Sequence, residues 1–466
     1  MEISRVFSGR VNLMNYVFGV KALDDILSGT LMPNSLVVIA GHPGTGKTTL
    51  ASSICYANAL KDLRCLYISF QESKEKLFRV MKNFNMDFKS LENKSFFKFF
   101  KLPLTKDVEK TVEAINGLVI EWNPAVIVID SINALMQAVE DPDKRVWLQN
   151  YFYSLSEIIN GVVILIAEIP FGESKVELGS IEFVADVVII LRHKIERGLI
   201  TRYLEIRKAR GAQLTISEFS FSIIPGKGID VFIPPLLSET EATPPPKLKP
   251  PCSFLDNILG SIDKGFSIYV EHPPDFRVPE AVPLILGIAI RNKMKSLYLS
   301  YRYSPNPLIE LIAHSYIKYC KDKDKLMENL RKYIVIASIN PFRYSVAEGL
   351  SKECEVIRGS EADLIIFHAV EIPAMTEKHL PEYIPSLYNQ INILKQQHKV
   401  IARIYSSIDD SLRPIYEVMA DLIIRFIPIN EYNDYKVYIW KRGEKPITIS
   451  SKDIDKCIEE IASSLC

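Results

Sequence analysis

The chain has 466 residues, 48% hydrophobic and 24% charged, enough for two or three domains with large cores and in the balance of a globular protein. Lys plus Arg equals Asp plus Glu at 56 each, so no net field draws the chain to nucleic acid or to an anionic membrane. The seven cysteines form no CxxC pair and no Cys/His cluster at metal spacing, and neither an apolar leader in MEISRVFSGR nor a membrane-length apolar run occurs; this speaks for a reducing, cytoplasmic setting without disulfides or zinc.

In chain order, ALDDIL at 22–27 leads to an apolar strand, LVVIA at 36–40, and then to Gly41-His42-Pro43-Gly44-Thr45-Gly46-Lys47-Thr48-Thr49. This run fits G-x-x-x-x-G-K-[ST] at every fixed position, between a strand and the helical stretch ASSICYANALKDL, which is the context the motif needs. Glycines let the backbone wrap a phosphate chain and aim N–H groups at it, and the helix start adds the positive end of its dipole. The loop from Gly41 to Thr49 is therefore expected to hold ATP, with Lys47 on the β- and γ-phosphates and Thr48 on Mg²⁺.

A second strand, LYIS at 66–69, precedes Gln71-Glu72. From Lys82 to Lys101, lysines interleave with phenylalanines, a pattern that can clamp single-stranded bases but reads more simply as a helix end and a strand facing the core. The helical stretch KDVEKTVEAINGLVIEW precedes AVIVID at 125–130, whose branched apolar residues suit a central parallel strand. Asp130 at its tip can hold a magnesium-bound water beside the phosphate loop. VVILIA followed by Glu168, FVADVVII at 183–190 and IRKARG at 206–211 complete this half. Short branched strands alternating with helices imply a mostly parallel sheet covered on both faces.

Residues 234–251, PPLLSETEATPPPKLKPP, place seven prolines in eighteen positions, and a linker is expected over 235–251. Beyond it the first half repeats in order. FLDNIL at 254–259 answers ALDDIL, FSIYV at 266–270 answers LVVIA, and LYLS at 297–300 answers LYIS. DLIIFH at 363–368, VMADLIIR at 418–425 and IWKRG at 439–443 answer the later segments. The chain thus reads as two tandem α/β domains, 1–234 and 252–466, each roughly 215 residues long. The second has lost the phosphate site. With GHPGTGKT set against Glu271-His-Pro-Pro-Asp-Phe-Arg-Val278, Glu271 is expected where phosphates should lie, Pro274 lacks a donor, Val278 cannot ligate magnesium, and His368 stands for Asp130. The tail SSKDIDKCIEEIASSLC reads as a terminal amphipathic helix packed on the second domain.

On FGVKALDDILSGTLMPNS, the phosphate loop, YISFQES, the strand ending at Asp130, IAEIP, IEFVADVVIIL and KARG, residues 17–230 resemble the RecA/RadA superfamily and most closely its KaiC-like ATPases. The resemblance implies two RecA-like domains and Mg-dependent ATP hydrolysis with a carboxylate after the second strand as base. That position reads Gln71-Glu72; Gln orients water but accepts no proton, so turnover rests on Glu72, and whether ATP is hydrolysed or only held stays open. The resemblance further implies that Lys208 and Arg210 reach a neighbour's γ-phosphate in a homo-oligomeric ring such as a hexamer, and places Glu168 near a γ-phosphate sensor. It suggests a nucleotide-dependent regulatory or scaffold oligomer that meets a protein partner, or a sensor that loads ATP without turnover. An autokinase cycle in the second domain does not carry over, because that domain's site is degraded. The alternative is a recombinase paralogue on single-stranded DNA, but the loops 131–144 and 169–182 carry more acids than bases and would repel a phosphate backbone.

Overall fold

The computed structural model describes residues 16–466 apart from 104–106, 140, 170–180, 197, 215, 234–243, 275–279, 378–382 and 430–433. The expectations for the N-terminal ten residues, for Val278, and for most of the loop 169–182 fall outside the described residues. The chain divides into two compact units, Met1–Ile233 and Pro234–Cys466.

In the first unit the strands are β1 (Ser35–Gly41), β2 (Cys65–Ser69), β3 (Phe97–Lys101), β4 (Val126–Asp130), β5 (Val162–Glu168), β6 (Val187–Glu196), β7 (Leu199–Ala209), β8 (Glu218–Ile224) and β9 (Gly228–Phe232). They form one sheet in the order β3-β2-β4-β5-β1-β6-β7-β8-β9, parallel as far as β6 and antiparallel beyond it. Helices α1 (Lys21–Ile26), α2 (Lys47–Ala59), α3 (Lys74–Lys82), α4 (Phe88–Asn93), α5 (Val108–Trp122), α6 (Ile132–Ala138), α7 (Pro142–Ile158) and α8 (Ile181–Val184) complete it. Every residue of β1 is buried, as a strand covered on both faces requires. Alternate residues feed two cores: Val37 and Ile39 pack with Leu50 and Ile54 of α2, and Leu36 and Val38 with Ile115 of α5 and Phe152 of α7. The aromatic stretch 82–101 is core: Phe88 and Phe97 are buried with ring centroids 4.5 Å apart, and Phe99 stacks on Tyr67.

The second unit opens with a short antiparallel pair, β10 (Lys247–Leu248) and β11 (Ile262–Asp263), so the last residues of the proline-rich run are built into this unit. Its strands β12 (Ser267–His272), β13 (Ser296–Ser300), β14 (Ile334–Ser338), β15 (Leu364–His368), β16 (Val400–Ser406), β17 (Leu422–Pro428), β18 (Tyr435–Lys441) and β19 (Ile447–Ser450) run β14-β13-β15-β16-β12-β17-β18-β19. This is the first sheet's order, one strand shorter. Its helices are α9 (Ser253–Leu259), α10 (Ala281–Arg291), α11 (Pro305–Ile317), α12 (Lys323–Tyr333), α13 (Val346–Ser360), α14 (Glu371–Glu377), α15 (Tyr383–Gln396), α16 (Arg413–Val418) and α17 (Ser451–Ser463). Helix α17 is capped by Ser450 and Asp453 and buries Ile454, Cys457, Ile458 and Ile461 in the core, as its amphipathic pattern predicts.

Two expectations are corrected. The cysteines do pair: Cys252 with Cys457 and Cys320 with Cys466, with Cα atoms 5.2 and 5.6 Å apart, which is bonding distance. Sequence separations of 205 and 146 leave no local spacing to read, so their scatter carried no information about redox setting. The alignment of the second site also shifts by one residue. Asp186 Oδ2 accepts from the backbone N–H of Leu36, and Asp421 Oδ2 from that of Ser267, which makes Leu36 and Ser267 equivalent. Ala40 then faces Ile190 as Glu271 faces Arg425, so Glu271 replaces Ala40 rather than Gly41.

Candidate nucleotide site

Three strand tips converge in the first unit: Gly41 of β1, Asp130 of β4 and Glu168 of β5, with the start of α2 beside them. The turn from β1 into α2 depends on its glycines. A Cβ on Gly41 would meet the Leu191 carbonyl at 2.4 Å, and Gly46, the N-cap of α2, sits at φ 104°, next to Ile223. Gly44 is left-handed at φ 78° with open space where a side chain would be. His42 and Pro43 span the turn between them. The His42 carbonyl accepts from Thr45 Oγ1 at 2.8 Å and Lys47 Nζ at 3.0 Å, and its ring Nδ1 lies 3.1 Å from the Ile169 carbonyl.

Lys47 is only 6% exposed, and burial holds its ammonium below the ordinary value against the pull of Glu168 and Asp130. A cation sunk at a helix start, curled onto its own loop, is ready to exchange a carbonyl for a phosphate. Thr48 Oγ1 donates to Asp130 Oδ2 at 3.2 Å, and Tyr67 Oη donates to the same oxygen at 2.7 Å. Burial pushes the Asp130 carboxyl up, opposed by those two hydrogen bonds. Thr49 is buried one residue further along α2. Tyr67 escaped the sequence reading because LYIS scans as a plain apolar strand; only its place beside the strand of Asp130 gives its hydroxyl a partner. Asn133 was missed as well: its side chain bonds both the N–H and the carbonyl of Glu168, fixing that strand tip.

These residues fit a Mg-nucleotide. The glycine-rich loop and Lys47 would hold the phosphates, and Thr48 with Asp130 would hold magnesium, directly or through water. When bound, the metal would neutralise phosphate charge; the chain's own part is to orient it through Tyr67, Thr48 and Asp130.

The other predicted residues lie apart from this cluster. Gln71 is exposed, and Glu72, its N–H held by Ser69 Oγ at 3.0 Å, pairs with Lys76 of α3 at 2.7 Å. Glu72 is still near enough to raise the Asp130 and Tyr67 values. Lys208 Nζ donates to the Phe183 and Glu182 carbonyls, and Arg210 pairs with Asp186 at 3.1 Å. Asp186 is bonded to Leu36 at the start of β1, so Arg210 sits roughly 16 Å, or five strand residues, from Gly41, and Lys208 is drawn to the same Phe183 carbonyl. The pair does not reach the phosphate loop of its own unit.

Among the described residues, the matching region of the second unit has no such cluster. His368 stands where Asp130 does, and burial with nearby His272 and Arg302 lowers its imidazole to about 3, so it is neutral. Its ring lies between those of Tyr298 and Tyr303 at 5.3 and 5.9 Å. Glu271 does not face the phosphate position. It is 2% exposed, on the sheet face that carries Tyr269, and is paired with Arg413 and Arg425 at 2.7 Å each.

The family model described as "ATPase: KaiC" matches residues 17–235. Circadian clock oscillator protein KaiC 1 of Synechocystis is 27% identical over 208 residues, 44% of this chain and 40% of its own length. The KaiC proteins of Synechococcus elongatus and Thermosynechococcus vestitus are 27% and 25% identical over 217 and 196 residues. The chain spans about 40% of the length of these curated relatives. With the strand order and the phosphate-loop geometry, these matches identify the first half of the chain as a KaiC-like ATPase domain of the RecA type.

Proposed function

We propose that the first unit binds Mg-ATP and that the chain works as a nucleotide-dependent regulatory or scaffold oligomer with weak ATPase activity. The convergence of Lys47, Thr48, Tyr67 and Asp130 at the head of α2 carries this reading. Weak turnover is supported by the exposed amide of Gln71 and by the pairing of Glu72 with Lys76, which engages the carboxylate that follows β2. An oligomer is supported by the position of Lys208 and Arg210: far from their own loop, they act on phosphate only in a neighbouring copy. Phe183, whose carbonyl they hold, is 78% exposed, and Val418, its counterpart in the second unit, is 72% exposed. Two such apolar positions, each beside an arginine, suit a contact between copies.

The test is phosphate release with mass-resolved oligomeric state, with and without Mg-ATP. Gln71→Glu should raise turnover and Arg210→Ala should abolish it without loss of ATP binding. Full activity in a strictly monomeric protein would refute the role in a neighbouring copy. The reading as a recombinase on single-stranded DNA is left without its aromatic clamp, since Phe88 and Phe97 are core residues.

A further inference from the structure

The site in the first unit holds more carboxylates than Asp130 alone, and alternation along the strands sorts them by face. In β5, Val162, Ile164 and Ile166 pack into the core shared with α2, while Val163, Leu165 and Ala167 pack into the opposite one, so Glu168 falls on the α2 side. The same alternation along β4, from Val126 and Val128, puts Asp130 there too. Lys47 and Thr48 open α2, so both carboxylates stand on the face where the phosphates would lie.

Glu168 stands closer to the phosphate loop than the carboxylate after β2 does. Strand β5 is the immediate neighbour of β1, and Glu168 pairs with Gly41, the first residue of the loop, so the two backbones lie about 5 Å apart. Strand β2, which leads to Gln71 and Glu72, is three strands away from β1, roughly 14 Å. The charges follow the same order. Burial lowers the Lys47 ammonium, and among the described residues two carboxylates raise it against burial, Glu168 ahead of Asp130.

The backbone around Glu168 is pinned, and its side chain is not. Asn133 Oδ1 accepts from the Glu168 N–H at 2.6 Å, and Asn133 Nδ2 donates to the Glu168 carbonyl at 2.9 Å. The next residue, Ile169, donates its N–H to the Gly41 carbonyl at 3.0 Å, and its own carbonyl lies 3.1 Å from His42 Nδ1. The tip of β5 is thus held to the start of α6 and to the phosphate loop at once. The Glu168 carboxylate is exposed and has neither a hydrogen bond nor an ion pair among the described residues, whereas Glu72 is engaged by Lys76. A fixed backbone carrying a free carboxylate beside a phosphate loop is what a proton acceptor needs, position without a competing partner.

We propose that Glu168 is the general base of ATP hydrolysis in this unit, taking the proton of the water that attacks the γ-phosphate. The assignment rests on the reading of the first unit as a Mg-ATP site. As the water oxygen bonds to phosphorus, its proton passes to a Glu168 carboxylate oxygen. The bond from phosphorus to the β–γ bridging oxygen breaks with its electron pair left on ADP, phosphate departs, and Glu168 releases the proton to solvent. The base thereby moves from the end of β2 to the tip of β5, and turnover survives the amide at Gln71. A carboxylate beside the loop also repels the charge of ATP, so removing its charge should not weaken binding.

The experiment measures phosphate release at saturating Mg-ATP and, separately, ATP affinity by calorimetric titration, on the full chain and on its Glu168→Gln and Glu168→Asp variants. The amide keeps the size and hydrogen bonding of the side chain but accepts no proton. The expected result is turnover at least about 100-fold lower in Glu168→Gln with ATP affinity equal or higher, and partial turnover in Glu168→Asp. Turnover kept in Glu168→Gln would overturn the assignment. So would a loss of affinity that accounts for the loss of turnover, since Glu168 would then serve binding alone. A full chain that binds ATP and releases no phosphate would overturn the base and leave the Mg-ATP site standing, whereas failure to bind ATP would remove both.

Discussion

The two units share a strand order and differ in where they keep their polar groups. The first gathers its charged ones at the strand tips, where Lys47, Thr48 and Asp130 meet, and keeps its sheet strands apolar behind them. The second has a neutral His368 at the tip and buries charge within one face, as Glu271 with two arginines and as the hydrogen-bonded run from Tyr301 through Glu353 and Gln390 to Arg403. The fold is set by alternating apolar strands and their helices, so it survives either arrangement. What differs at the tips, among the described residues, is chemistry, since a phosphate site needs a glycine-rich loop, a cation and a magnesium ligand at one point.

The strongest way to break the comparison is to remove what only the second unit has. Both disulfides tie the C-terminal segment to it, Cys457 to the start of α9 and Cys466 to the end of α11. Converting Cys457 and Cys466 to serine should destabilise this unit by about 4 kcal/mol, seen as an early melting transition by calorimetry, while ATP binding is retained. A single unchanged transition would show that the bridges do not support this unit. Next, Glu271→Ala restores the first unit's residue at that place. It should cost about 3 kcal/mol in chemical denaturation, because Arg413 and Arg425 lose a fully buried partner; both reach water, which keeps the loss near the low end for a broken buried pair. A neutral outcome would mean the ion pair is dispensable.

A smaller effect sharpens the first site. Tyr67→Phe removes one hydrogen bond to Asp130 and should weaken magnesium-dependent ATP binding by about 1–2 kcal/mol. The Asp130 carboxyl already lies above its ordinary value, and the Tyr67 bond is one of the influences lowering it. Protonation of Asp130 competes with the metal, so affinity should fall as pH drops through the folded value, at higher pH than for a free carboxylate, and at higher pH still in the variant. Coincident pH profiles for the two proteins would argue that Tyr67 does not tune Asp130.

Much of this was legible in the sequence because it is local. The phosphate loop is nine consecutive residues, the strands are branched apolar runs, and the duplication keeps its order. What was not legible depends on residues brought together from afar. The matching dipeptide in GHP and EHP hid a one-residue slip that only the bonds from Asp186 and Asp421 reveal, and the slip turns Glu271 to a different face. A glutamate in a helix reads as a solvated residue, so Glu353 gave no sign of burial until Gln390 and Arg403 were placed against it. Tyr67 and the paired cysteines were silent for the same reason: their partners are 63, 205 and 146 residues away.

The most direct measurement is the number of ATP molecules bound per chain in the presence of magnesium, read by native mass spectrometry on the wild type and on Lys47→Ala. The account predicts one per chain, falling to none in the variant, since the second unit offers no magnesium ligand at His368. Two per chain, or one retained by Lys47→Ala, would contradict it.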